Sequence, residues 1–201
     1  MNYIKFDTIE STNDFLKNYV KTKNPGNWFY VYADEQTRGK GQRANTWKSE
    51  CCKNLLISYF VELNWPVEKQ FLLNQIVSVS LIELLQKFNI PELKIKQPND
   101  IMAGYYKIGG ILIENSVAGK KLKNSVIGIG LNVNQTVFDK LPFAVSMKNI
   151  AGKDFDREIL IDELTNLLKN NFKAGKKEIK EKFESFLYKP LAISNVLSNE
   201  N

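Results

Sequence analysis

Four short stretches of this sequence carry residue types and spacings that could do chemistry. The first is Gln36-Thr37-Arg38-Gly39-Lys40-Gly41-Gln42-Arg43. Its glycines let backbone N–H groups turn toward an anion, and its Lys and Arg add fixed positive charge. That suits a phosphate or an acyl phosphate. The segment lacks the Gly-Lys-Ser/Thr ending of a Walker loop and the Gly-x-Gly-x-x-Gly of a dinucleotide site. A flexible, solvated loop would have the same composition.

The second stretch is Lys96-Gln97-Pro98-Asn99-Asp100, followed by Lys107-Ile108-Gly109-Gly110-Ile111-Leu112-Ile113-Glu114. Glycine inside a strand often marks close approach of a ligand or of another backbone. A lysine just ahead of the Gly109-Gly110 pair can reach whatever fills that gap. The competing reading is a bulge at the pair with Lys107 in solvent. The third stretch is Gly128-Ile129-Gly130-Leu131-Asn132-Val133-Asn134. Its alternating glycines clear one face of a strand, for a flat ligand or for a tight sheet under a helix. The fourth, Ser11-Thr12-Asn13, reads as a helix N-cap. Its hydroxyl and amide groups could equally meet a small polar head.

Composition narrows the chemistry. The 201 residues contain no histidine. Ser-His-Asp triads, histidine bases and histidine-ligated metals are excluded, which leaves Lys, Arg, carboxylates, amides and backbone groups. The two cysteines, Cys51 and Cys52, are adjacent. Neighbours in sequence rarely form an unstrained disulfide, and two thiols are too few for structural zinc, so no metal site is expected. The net charge of +6 has a plain source in the Lys169–Lys182 run, which reads as a solvated helix face. An anionic ligand such as a nucleotide is the sharper explanation. No helix-turn-helix or aromatic-basic stripe points to nucleic acid. No signal peptide and no apolar run near about 18 residues is found, so no membrane contact is expected and the location reads as cytoplasmic.

Several elements must position these groups. Tyr3–Phe6 reads as a short strand, Ser11–Asp14 as the cap of a helix through Val20, and Trp28–Ala33 as a strand. Asp34–Lys53 is a loop of roughly twenty residues, long enough to be functional or mobile. Asn54–Glu62 returns to a strand. Lys69–Asn89 carries apolar residues at helical spacing, and the Ile76–Leu85 part reads as a buried helix. Strands follow at Leu93–Lys96, Ile101–Ala103, Tyr106–Asn115 and Asn124–Val133, with a hairpin turn at Ala118–Lys121. Phe155–Phe172 and Lys176–Phe186 read as closing helices. Strands and helices in blocks predict an α+β class.

Taken in order, Glu10-Ser11-Thr12-Asn13, Gln36 with Gly39-Lys40-Gly41 and Trp47, Asn54-Leu55, Lys96 with Pro98-Asn99-Asp100, Lys107 with Gly110-Ile111-Leu112, and Gly128-x-Gly130-x-Asn132 resemble the catalytic domain of biotin–protein ligases. The pieces span residues 6 to 134 in the family's order. The resemblance implies a mixed, largely antiparallel sheet flanked by helices, like the class II aminoacyl-tRNA synthetase core. It implies activation of biotin with ATP and Mg²⁺ to biotinyl-5′-AMP, then transfer to a lysine of the biotin carboxyl carrier domain of a carboxylase. It places Lys107 and Arg43 as catalytic residues. Biotin would be held by Ser11, Thr12, Asn13, Gln36, Lys40, Gly41, Gln42, Lys107 and Gly110. The nucleotide would be held by Gly39, Lys40, Arg43, Trp47, Asn99 and Asn132.

The resemblance also has departures. Gln42 stands where the family loop commonly has Arg, and Gln97 where a tryptophan is usual. Cys51-Cys52 replaces small turn residues. Residues 1–188 are expected to form the catalytic domain and 189–201 a tail, with no room for the small β-barrel of many relatives. No DNA-binding domain precedes Ser11, so no repressor role is expected, and the chain is expected to be a monomer or homodimer. Three rivals stand beside this reading. They are a lipoate–protein ligase, an octanoyl transferase of the same fold, and a degenerate non-catalytic binding protein.

Overall fold

A computed structural model describes residues 2–42, 45–139 and 141–189. One seven-stranded sheet organises the chain, in the order β1-β2-β3-β7-β6-β5-β4. The strands are β1 (Tyr3–Ile9), β2 (Tyr30–Gln36), β3 (Leu55–Pro66), β4 (Leu93–Lys96), β5 (Asp100–Ala103), β6 (Tyr106–Ala118) and β7 (Lys121–Leu131). Among the strands of the described residues, β1 and β2 alone pair in parallel, because helix α1 (Thr12–Thr22) carries the chain back between them. Every other pair is antiparallel. The α+β, mainly antiparallel expectation holds.

Helix α2 (Gln70–Lys87) is buried at every position from Gln75 to Ile82. It is buried because it lies between the sheet and two further helices, α4 (Arg157–Lys173) and α5 (Lys176–Ser185). The one-turn helix α3 (Met147–Ala151) has a Ser146–Asn149 capping box that is not among the sequence-based expectations. The sheet therefore has a heavily covered face, where Tyr59, Val61, Ile127, Ile129 and Ile111 join the main core. On the other face, Phe60, Val31 and Val126 pack with Leu16 of α1 in a smaller cluster.

The expected long loop is shorter than its composition suggests. Asp34, Glu35 and Gln36 belong to β2 and continue its pairing with β1. The period-2 signal fades there because these residues are polar, not because pairing stops. β3 and β6 also run past their expected ends, and β7 begins earlier than the expected Asn124 but stops at Leu131, short of Val133.

Candidate active site

The site lies on the sheet face shared with α1. Two cross-strand rows define its floor. Ser58, Gly128 and Leu112 are mutual partners across β3, β7 and β6; Leu56, Gly130 and Gly110 form the next row. The sequence leaves two readings of the β7 glycines, space for a flat ligand or close packing. Both glycines line the site's cavity, and the protein's own side chains also close on them. A Cβ at Gly128 would collide with the Asn13 amide, and one at Gly130 would lie 2.5 Å from the Trp47 indole. The bare strip made by Gly110 and Gly130 is the seat of that ring.

One end of the site is built from α1. Ser11 caps the helix, its Oγ accepting from the Asp14 backbone N–H at 3.3 Å. Thr12 donates to Gln36 Oε1 from both its backbone N–H (2.7 Å) and its hydroxyl (3.0 Å). Gln36 is brought there by its register with Ile9. Ser58 Oγ lies 2.8 Å from Thr12 Oγ1 and 2.5 Å from Asn13 Oδ1. The Asn13 N–H groups go to Leu112 O and Glu114 Oε2. Three oxygen–oxygen contacts join Gln36, Thr12, Ser58 and Asn13, and the two hydroxyls supply two protons. The cluster is rich in acceptors and one donor short. A ligand N–H donating to Gln36 Oε1 would bring a further proton to this acceptor-rich cluster.

The other end is set by a bulge. Lys107 faces Met102 and Gly109 faces Ile101, so Ile108 is an extra residue on β6. A bulge breaks the alternation of faces and re-aims a side chain. Ile108 goes into the main core, and Lys107 comes onto the same face as Gly110, where a Cβ would stand 3.4 Å from Nζ. The sequence couples a bulge with a solvent-facing Lys107; in the structure the bulge is what turns Lys107 inward. Its Nζ pairs with Asp100 Oδ1 at 2.6 Å and sits 5.6 Å from the centre of the Trp47 ring, within cation–π range.

Two adjoining cavities result. The smaller, about 240 Å³, is lined by Ser11, Thr12, Asn13, Gln36, Lys40, Gly41, Gln42, Trp47, Asn99, Lys107 and Gly110. The larger, about 570 Å³, shares Trp47, Asp100 and Lys107 with it and adds Asn132 and the apolar Tyr105, Leu141 and Phe143. Gly39 borders neither; it lines an outer groove with Lys40 and Gly41, and a Cβ there would press on Trp47 O. Lys40 Nζ pairs with Asp14 Oδ2 at 2.6 Å, and that hydrogen bond raises its pKa. Asn132 donates from its side chain to Val145 O. Arg43 lies outside the described residues.

Some site residues escape sequence reasoning. Ser58 has a signal, a lone hydroxyl inside the apolar run Leu55–Val61. Asp100 stands in the quoted motif without a role. The apolar lining from Leu141 and Phe143 sits in irregular chain, where periodicity says nothing. Trp47 Nε1–H is buried and finds no acceptor among the described residues. No group of three or more Cys, Asp or Glu suited to a metal ion occurs among the described residues.

The model of the Biotin/lipoate A/B protein ligase family matches residues 5–132. The chain is 28% identical over 165 residues to the bifunctional ligase/repressor BirA of Bacillus subtilis, covering 80% of this chain and 50% of that protein. It is 33% identical over 133 residues to the chloroplastic biotin–protein ligase 1 of Arabidopsis thaliana, covering 63% of this chain and 35% of that one. The chain thus spans half or less of these curated relatives. Among solved structures, the biotin protein ligase of Aquifex aeolicus in complex with biotin and ATP superposes with a TM-score of 0.78 at 28% identity, covering 92% of this chain and 78% of that one.

Proposed function

The chain belongs to the biotin/lipoate A/B protein ligase family, and from that premise we propose that it is an ATP-dependent biotin–protein ligase. Its substrates are biotin, ATP and a lysine of a biotin carboxyl carrier domain. The observation that carries this reading is the pairing, within one cavity, of an acceptor-rich, donor-short end with the Lys107 ammonium. A fused urea ring offers N–H donors to the acceptors of the first end, and a carboxylate tail suits the second. The Aquifex aeolicus relative bound to biotin and ATP supports the same pair of ligands.

In the first step a carboxylate oxygen of biotin attacks the α-phosphorus of ATP. The bond to the β-phosphate oxygen breaks, and pyrophosphate leaves. Two anions must approach, so fixed positive charge at the meeting point lowers the barrier. Lys107 supplies it at the junction of the two cavities. Asp100 holds the ammonium there until the anions arrive. The nucleophile is already ionised, so no general base is needed and the lack of histidine is no obstacle. The larger, apolar cavity suits the nucleotide base. Mg²⁺ is expected to travel with the ATP phosphates; Asp100, the one carboxylate among the described residues lining either cavity, is the group that would meet it.

In the second step the acceptor amine attacks the acyl carbon of the mixed anhydride and AMP leaves. Retention of the adenylate until then falls to the loop. Gln42 cannot hold an anion by charge, which leaves Lys40 and Arg43. Lys40 must first exchange Asp14 for the ligand.

The lipoate ligase is the second reading within the same family. Lipoate has no N–H to give to Gln36, so the acceptor-rich end favours biotin. Cys51 and Cys52 line neither cavity, which leaves an octanoyl transferase without its thiol. The test is pyrophosphate release from ATP with biotin, and with lipoate in a parallel assay. Release with biotin alone is the expected result; release only with lipoate transfers the assignment, and release with neither removes the enzyme.

A further inference from the structure

Cys51 and Cys52 belong to neither cavity, and nothing in the proposed reaction uses them. They sit on the turn that returns the chain from Trp47 to β3, both exposed. Neighbouring side chains on an extended chain point to opposite sides. Here they do not: Cys52 has φ +62°, and the two Sγ atoms are 3.3 Å apart. A left-handed backbone at a residue with a Cβ is unfavourable and persists only where its surroundings hold it. The anchors are present. The Cys52 N–H donates to Asp34 O at 3.0 Å, the Glu50 N–H to Gln135 Oε1 at 3.1 Å, and the Asn134 N–H to Lys53 O at 2.8 Å. The turn is therefore pinned to β2 and to the chain after β7, with the thiols already together.

We propose that Cys51 and Cys52 form a redox-active vicinal dithiol, a modification site that a low-molecular-weight disulfide converts to a Cys51–Cys52 disulfide. Zinc is a poorer fit. With metal–sulfur bonds of about 2.3 Å, sulfurs 3.3 Å apart subtend roughly 90° at the metal, narrower than a tetrahedron. No third ligand of a suitable cluster is present among the described residues.

The steps balance as thiol–disulfide exchange. The hydrogen bond to Cys52 raises the Cys51 pKa, with the Glu35 and Asp34 carboxylates adding to the effect, so Cys52 makes the first attack. The Cys52 thiolate attacks one sulfur of the reagent disulfide. That S–S bond breaks, and one thiolate leaves and is protonated. Cys51 then loses its proton and attacks the Cys52 sulfur of the mixed disulfide, closing the Cys51–Cys52 bond and expelling the second thiolate. Two protein thiols are oxidised, and one reagent disulfide is reduced to two thiols. Adjacent Cα atoms stand about 3.8 Å apart across a trans peptide, below the usual range for bridged cysteines. The product is thus strained and exposed, the class of disulfide that is readily reduced and reversible.

The test incubates the full chain with excess oxidised glutathione and follows it by thiol titration and intact mass. The wild type is expected to lose both thiols together and to weigh two hydrogens less, with no glutathione attached, and a dithiol reductant is expected to restore both thiols. Cys51→Ser and Cys52→Ser are each expected to stop at one bound glutathione. A wild-type chain that stops at glutathione adducts, or that links to a second chain, overturns the proposal. The measurement is independent of whether the protein acts on biotin.

Discussion

At the scale of single residues, Lys107 carries the largest expected effect. Its ammonium is one fixed charge at the point where two anions meet, and loss of one such group typically costs about 10²–10³ in rate. Lys107→Ala is expected to lower pyrophosphate release by at least about 10²-fold while leaving the melting temperature near that of the wild type, since the side chain is partly exposed. Undiminished release by this variant would remove Lys107 from the chemistry. Gly130 makes a different demand. An alanine there places a methyl against the Trp47 ring, and overpacking of this kind costs about 1–3 kcal/mol. Gly130→Ala is expected to lower thermal stability and weaken biotin binding together. Its effect on binding should shrink when Trp47→Ala is added, because the clash then has no partner. A double-mutant cycle by calorimetry reads that coupling, and an additive result rejects the seat assigned to Trp47.

At the scale of elements, a buried hydrogen bond helps tie the covered sheet face to α4. The Thr165 hydroxyl donates to Ile161 O, so the Tyr59 hydroxyl must donate to Thr165, at 2.9 Å. Tyr59→Phe removes this donor at about 1 kcal/mol. It should also change the alkaline limit. Burial raises the Tyr59 pKa, and burial with the Asp162 carboxylate pushes Tyr30 up to about 12. A raised folded-state pKa means the native chain keeps protons that the unfolded chain has released. Stability is therefore full below the ordinary tyrosine value of 10.0 and is lost as pH rises through the folded values. Tyr59→Phe is expected to be less stable than wild type at pH 7 and to lose less between pH 10 and 12 by urea titration; parallel losses would contradict this. The Trp47-bearing segment 37–54 is the other element with a prediction. Trypsin is expected to cut it after the exposed Lys48, and biotin with ATP to slow that cleavage; equal rates with and without ligand would reject its role over the site. How legible these elements are in the sequence follows from their signals. The α1 cap, α2 and the β4–β7 strands stand out because turn residues and period are local. The bulge at Ile108 is not legible, because it is a property of pairing between two strands and leaves no mark beyond the nearby glycines. The fillers of the β7 glycine strip are invisible for the same reason: Asn13 and Trp47 are distant in sequence.

At the scale of the whole molecule, the arrangement of the two cavities makes a claim that no single residue carries. Ser11, Thr12 and Gln36 mark one extremity, and Tyr105, Leu141 and Phe143 mark the other. Lys107, Asp100 and Trp47 lie where the cavities adjoin. Sequence motifs point to the first extremity and to Asp100 and Lys107 at the junction, since these rest on regular strands and a helix cap. The second rests largely on irregular chain. If each cavity bound its ligand independently, biotin and ATP together would raise stability by the sum of their separate contributions, each about 2.7 kcal/mol at a hundredfold excess over its dissociation constant. A joined adenylate behaves differently. It occupies both cavities with one loss of translational freedom, and its release requires both sets of contacts to open. The melting temperature with biotin and ATP together is therefore expected to exceed the sum of the two single shifts, and in Lys107→Ala to fall back to that sum. Strict additivity in the wild type would mean that the two cavities do not share a product, and the proposed junction would lose its purpose.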